Sequence, residues 1–405
     1  MLSDQEFAGI RASAAAVQSR VVSVRREIHR FPELGNDTPR TRQTVLDALD
    51  GLDLDIHLSK STSGVVAVLK GGTNEGRTVL LRGDMDALPM PEDTGLPFAS
   101  EVPGRMHACG HDAHTAMLVG AAHVLAERRE SLTGNVAFMF QPGEEGPGGA
   151  QPMIDEGILE AGGRPDSAFA LHVYPNAPSG VIHCKPGTIL ASADRVIVRV
   201  VGRGGHGSMP YDANDPVPVA CEMVQALQTL VTRRFDQFDP VVITVGRIQA
   251  GTVNNVIPED AHLDMTVRSF SPDTRKRLVA SIERVIEGIA AAHEMRAEIV
   301  IEEGYPPTVN RTEGAELVEN TARALLGDDG FVLEKRPVAG AEDFSLVIDH
   351  YGGAFAFLGV APPDCSHNHA EPCHSNRMMI DEAAMVNGVA MHASLAMNFL
   401  QGDQT

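Results

Sequence analysis

The chain has no tryptophan and only four tyrosines among its 405 residues. Any aromatic-lined pocket must therefore be built from phenylalanine and methionine, which the core also uses. Basic residues are in deficit: 33 Lys and Arg against 54 Asp and Glu leave a formal charge of −21. Such a surface repels nucleic acid and anionic membranes, so neither is expected as a partner, and the charge serves solubility. The five cysteines, Cys109, Cys184, Cys221, Cys365 and Cys373, are odd in number and scattered. That is no disulfide framework, and it suits a reducing cytoplasm. Long apolar runs are missing too. The first 20 residues carry Asp4 and Glu6 and no signal-peptide core, and no run is expected to reach the ~18 apolar residues of a membrane span.

What is present is enough for two cores. With 43% hydrophobic residues, 405 positions exceed one ordinary domain. Residues 16–30 read as an amphipathic helix. Short apolar runs follow, each ending in polar or Gly-rich sequence: GVVAVLKGG, TVLLRGDMDALP, NVAFMFQPGEEG, SAFALHVYP and, much later, GAFAFLGVAPP. Helical stretches such as 113–129 separate them. This alternation predicts an α/β sandwich on a mostly parallel sheet, formed by residues 1–187 and 305–405. Residues 188–304 change rhythm to strand–helix–strand–strand–helix–strand, the ferredoxin-like βαββαβ order, and read as an inserted domain.

In open α/β sheets, functional groups gather on the loops that leave the carboxyl ends of strands. Here those ends deliver Asp84 and Asp86, Glu144 and Glu145, His172, and a late segment with His367, His369 and His374. Ahead of one helix stands the densest stretch, MHACGHDAHTA at 106–116. Cys109 and His111, two apart, cannot share a helix face but can converge from a turn. Asp112 would suit the N-cap of the following helix. A Cys–His nucleophilic pair would leave the paired glutamates and His172 without a role. Thiolate, imidazole and carboxylate together instead describe a site for Zn²⁺ or Mn²⁺.

These motifs, with REIHRFPELG, GRGGHGSMP, GTVNNVIPEDAHLDMTVR, GAEDFS and CHS at 373–375, resemble in order the M20 metallopeptidase superfamily. The resemblance is to its amidohydrolase branch of hippurate hydrolases, N-acyl-amino-acid amidohydrolases and auxin-conjugate hydrolases. It implies two divalent ions, zinc or manganese, held by Cys109, His111, Glu145, His172 and His374, with Cys109 bridging. It also implies Glu144 as general base and Asp86 as the acid supporting the metal site, with Asp84 where other branches place a histidine. His206 of the inserted domain would reach across a homodimer, or a tetramer, toward the scissile carbonyl. Asn255 and Arg268 would contact a small N-acyl amino acid substrate. The inserted domain would serve as lid and dimerisation domain. Asn376 and Arg377 depart from the branch's usual proline and aromatic after the His-Ser pair, which bears on the adjacent pocket wall. His367 and His369 are rival ligands to His374. The expected activity is metal-dependent amide hydrolysis; a dipeptidase or aminopeptidase on the same site, or a non-catalytic binding protein of this fold, are the alternatives.

Overall fold

A computed structural model describes residues 1–73 and 76–402. They condense into two compact units. The first comprises Met1–Ile189, Val309–Arg336 and Asp343–Thr405; the second comprises Leu190–Thr308 and Pro337–Glu342. Segment 337–342 joins the second unit because Ala191 N–H donates to the carbonyls of Val338 and Gly340.

The first unit is built on an eight-stranded mixed sheet. Its strand order is Asp55–Leu58, Val65–Lys70, Gly134–Gln141, Arg77–Asp84, Ser167–Tyr174, Gly353–Gly359, Ile182–Cys184 and Phe331–Leu333. The four central strands, 134–141, 77–84, 167–174 and 353–359, run parallel to one another. They are buried almost throughout, which explains why they read as unbroken apolar runs rather than alternating ones. Because they are parallel, Asp84 pairs in register with Gln141, and His172 with Phe357, so their carboxyl ends share one edge of the sheet.

Helix His111–Ala126 packs against Asp4–Arg30, Met385–Gln401 and the Arg77–Asp84 strand. Fourteen of its sixteen residues are buried, so it is enclosed on all sides as a core helix is, apolar along most of its length after a polar first turn. Two glycines permit its position. Gly110 starts it at φ 85°, where a Cβ would lie 2.3 Å from Val173. Gly83 lets the helix approach the sheet, since a Cβ there would meet the carbonyl of His114 at 2.8 Å. The first helix begins at Asp4, well before residue 16, because Ser3 and Glu6 form a reciprocal capping box. The segment Glu382–Gln401 also departs from expectation. By length and composition it could cross a membrane, yet 78% of its 18-residue apolar window is buried in the protein, where Val389, Met391, Leu395 and Met397 join the core.

The second unit has the ferredoxin-like arrangement. Its antiparallel sheet runs Val241–Ala250, Asp260–Ser269, Asp194–Val201, Arg296–Glu303. Helices Pro216–Arg234 and Pro272–Ala292 contribute Val219, Met223, Leu227 and Leu230, and Leu278, Ile282, Ile286 and Ala290, at helical spacing to its core. Strand 260–269 alternates accordingly, with Ala261, Leu263, Met265 and Val267 buried and the intervening residues more open. On the other face, Arg195 pairs with Asp264 and Glu302, and Arg199 with Asp260 and Glu298.

Candidate metal centre

The shared edge of the parallel strands brings the expected donors together. Cys109, His111 and His172 form one triad of converging ligand atoms, and Cys109, Glu145 and His374 form another; Cys109 belongs to both. His111, Glu144 and Glu145 make a third such group. In every group the ligand atoms lie within 4.8 Å of one another.

The individual geometries suit donation to a cation. Cys109 Sγ lies 3.4 Å from His172 Nε2. His172 Nδ1 donates to the Val173 carbonyl at 2.7 Å, so the neutral ring turns a bare Nε2 toward the thiol. His111 is fully buried, and neither ring nitrogen makes a hydrogen bond. Its Nε2 is 3.4 Å from Asp84 and 3.8 Å from Glu145, and its Nδ1 is 3.7 Å from Asp86. His374 Nε2 is 3.2 Å from Glu145 Oε1. That histidine sits at φ 69°, an uncommon backbone state for a residue with a Cβ, and its N–H is held by the Ala108 carbonyl at 2.7 Å.

Behind these donors lies a scaffold that fixes them. Asp86 accepts from the backbone N–H of Glu144 at 2.9 Å and of Glu145 at 3.1 Å, one oxygen to each, which sets the direction of the glutamate pair. His114 Nδ1 bonds Asp84 at 2.6 Å, while its Nε2 accepts the Val173 N–H at 2.7 Å. Both nitrogens are thereby engaged, so His114 serves as a prop rather than a donor. Arg82, almost wholly buried, joins Asp84, Gln141 and Asp343. Asp343 in turn accepts from Gln141 and from the N–H groups of Gly149 and Ala150, closing the loop that carries Glu144 and Glu145.

Several expectations shift here. Asp112 is not the N-cap; Gly110 is, and the Asp112 carboxylate instead bonds Arg25 at 3.0 Å and His29 at 2.8 Å. His367 and His369 lie in a short turn and join none of the donor groups among the described residues. The sequence alone assigns no role to Arg82, His114 or Asp343. The available signal was an arginine inside the apolar strand TVLLRGD, since a buried guanidinium requires buried acceptors.

The charges respond to one another. Burial works against a charged His111, but Asp84, Asp86 and Glu145 outweigh it and raise its pKa well above the usual value. Burial and neighbouring His114 push His172 well down. Contact with Cys373, burial and the two glutamates push the Cys109 thiol up. Glu145 is lowered despite burial, through His374 and His111. A cluster so rich in carboxylates, with orphaned imidazole nitrogens and a thiol facing one another, fits divalent cations.

Asn255 and His206 meet in the second unit, where Val256 pairs with His206 across a two-stranded ladder and the Asn255 carbonyl accepts the Gly207 N–H at 2.8 Å. Arg268 lies on one of the two inner strands of that unit's sheet, half-buried.

A model of the peptidase family M20/M25/M40 matches residues 80–398. The chain belongs to that family. It is a metal-dependent amidohydrolase. Thermostable carboxypeptidase 1 of Saccharolobus solfataricus is 35% identical over 390 residues, spanning 95% of this chain and 96% of that protein. N-acetylcysteine deacetylase of Bacillus subtilis is 35% identical over 389 residues, spanning 95% and 98%. Among solved structures, the Bacillus subtilis YXEP protein, a dinuclear metal-binding peptidase of the M20 family, matches with a TM-score of 0.82 at 32% identity, covering 96% of this chain and 99% of that one.

Proposed function

We propose that the protein hydrolyses the amide bond of N-acyl or N-aroyl amino acids, releasing a carboxylic acid and a free amino acid. The observation that carries this reading is the pair of donor triads sharing Cys109, with Glu144 beside them and aimed by Asp86. Cys109, His111, Glu145, His172 and His374 would hold two divalent ions, zinc or manganese. Bound there, such ions lower the pKa of water toward neutrality and polarise a carbonyl.

The chain's own residues carry the proton and the substrate. Glu144 accepts the proton of the attacking water and passes it to the departing amine, a task that needs a carboxylate next to, but not among, the ligands. Asp86 fixes the orientation of that carboxylate through the Glu144 N–H. His206 donates a hydrogen bond to the oxyanion as it develops, and Asn255 beside it contacts the substrate. The Arg268 guanidinium makes no hydrogen bond or ion pair among the described residues, which suits an anchor for the carboxylate of the amino acid. A dipeptidase or aminopeptidase would instead need an acidic anchor for a free α-amino group, and Arg268 has the opposite sign.

The working form is a homodimer in which the inserted domain supplies the contact. All five cysteines are unpaired, as suits the cytoplasm. Assay of metal-loaded protein on hippurate and on a free dipeptide, each with and without EDTA, tests the reading. Hippurate should be cleaved, the dipeptide spared, and EDTA should abolish the activity. Preferred cleavage of the dipeptide would replace this reading with the peptidase one.

A further inference from the structure

In the second unit, His206 and Ser208 stand on either side of Gly207. The backbone N–H of Ser208 lies 3.1 Å from His206 Nδ1, and the Ser208 hydroxyl lies 2.8 Å from the same nitrogen. A backbone N–H can only donate, so Nδ1 must be the accepting, bare nitrogen. The proton of the neutral ring then sits on Nε2. The turn itself is tied down: Gly207 N–H donates to the Asn255 carbonyl at 2.8 Å, and a Cβ at Gly207 would come 3.0 Å from the Asn255 backbone.

We infer that Ser208 is a positioning residue, holding His206 in the Nε2–H tautomer and fixing the tilt of its ring. This rests on reading His206 as the donor to the developing oxyanion, and it deepens that reading. An oxyanion donor must present N–H, not a lone pair, in the right direction before the charge appears. A free imidazole interconverts its tautomers and turns about its Cβ–Cγ bond. Ser208 restrains both with two donors on one nitrogen. Among the described residues the side chain of Ser208 makes no other hydrogen bond, so its hydroxyl is committed to His206.

The test uses the full-length, metal-loaded protein with ¹⁵N-labelled histidine. Long-range ¹H–¹⁵N correlation reports which ring nitrogen carries the proton, and His206→Ala assigns the His206 signals by their loss. The expected result is an unprotonated Nδ1 and a protonated Nε2 on His206. Ser208→Ala should move the Nδ1 signal and lower kcat on hippurate about two- to tenfold, as for one lost hydrogen bond. KM should stay nearly unchanged, since the contact matters in the transition state. Ser208→Thr, which keeps a hydroxyl, should restore both the signal and kcat. A protonated Nδ1 in the wild type overturns the inference. So does a Ser208→Ala protein with wild-type imidazole signals and wild-type kcat. His206→Ala separates the two levels: if it keeps full kcat, the oxyanion role of His206 fails; if it loses kcat while Ser208→Ala does not, only the role of Ser208 fails.

Discussion

His29 Nδ1 lies 2.8 Å from an Asp112 carboxylate oxygen, in the interior, while its Nε2 meets Glu92 at 3.2 Å. An ionised carboxylate only accepts, so both ring nitrogens must donate, and His29 is held as an imidazolium. Arg25 adds a second cation on Asp112. Burial alone would drive the His29 pKa down, but Asp112 and Glu92 outweigh it and raise the pKa to about 9. This network stands one residue beyond His111 and so anchors the start of the helix that carries it.

A pH dependence of stability follows. A histidine raised from its unfolded value of about 6.5 to about 9 contributes stability that is complete below pH ~6.5 and fades as pH rises through ~9. The contribution is on the order of 3 kcal/mol. Urea denaturation from pH 6 to pH 10 should show a decline across that window in the wild type and a flatter profile in His29→Gln. Equal slopes for the two proteins would mean that His29 is not charged in the fold.

Buried charge also predicts a stability cost at Asp343. It takes hydrogen bonds from Arg82, Gln141 and two loop N–H groups, so Asp343→Ala leaves the buried Arg82 with Asp84 as its one carboxylate partner among these, strips the Gly149 and Ala150 N–H groups of their acceptor and opens the loop bearing Glu144 and Glu145. The loss should be about 2–6 kcal/mol in chemical denaturation, from two buried donors left unsatisfied at about 1–3 kcal/mol each. Asp343→Asn, which still accepts, should lose less. A cost for Asp343→Ala below ~1 kcal/mol, the scale of an exposed ion pair, would remove Asp343 from the scaffold.

Much of this was readable from the chain because parallel strands impose their own geometry. Asp84, Glu144, Glu145 and His172 follow apolar runs of similar length, and a parallel sheet must bring such ends to one edge. The ferredoxin-like order was equally plain, since each strand and helix of 188–304 has its own period. What the sequence hid depends on partners far along the chain. Asp112 looked like a helix cap, and only the folded arrangement reveals Arg25 and His29 packed against it. The helix start moved to Gly110 because that residue can take a positive φ against Val173. At the N-terminus the signal is local: Ser3-Asp4-Gln5-Glu6 is a capping-box sequence, masked by the weak periodicity of the alanines that follow.

Glu144→Gln should abolish proton transfer while leaving the ions bound. The expected fall in kcat is at least roughly 10²–10⁴-fold, the range for general acid–base catalysis. Metal content by elemental analysis should stay near the wild-type value. If metal is lost instead, the roles of Glu144 and Glu145 are exchanged.

Cys109→Asp tests whether the thiol is a ligand or a nucleophile. A carboxylate can still bind divalent ions from that position, so some metal and some activity should survive. A nucleophile replaced by aspartate would leave the metal in place and remove all turnover. That second pattern would end the metal reading of Cys109.

The last prediction concerns the dimer. His206 belongs to the second unit and the donor triads to the first. If His206 of the partner subunit completes each site, then His206→Ala and Glu144→Gln proteins are each nearly inactive alone but complement when mixed. A mixed dimer then carries both lesions in one site and none in the other. Random exchange at equal amounts makes half the dimers mixed, so activity should recover to about a quarter of wild type. Subunit exchange must be verified independently, for example by energy transfer between labelled protomers. If exchange is complete and the mixture stays inactive, His206 serves the site of its own chain, and the role of the homodimer in catalysis falls with it.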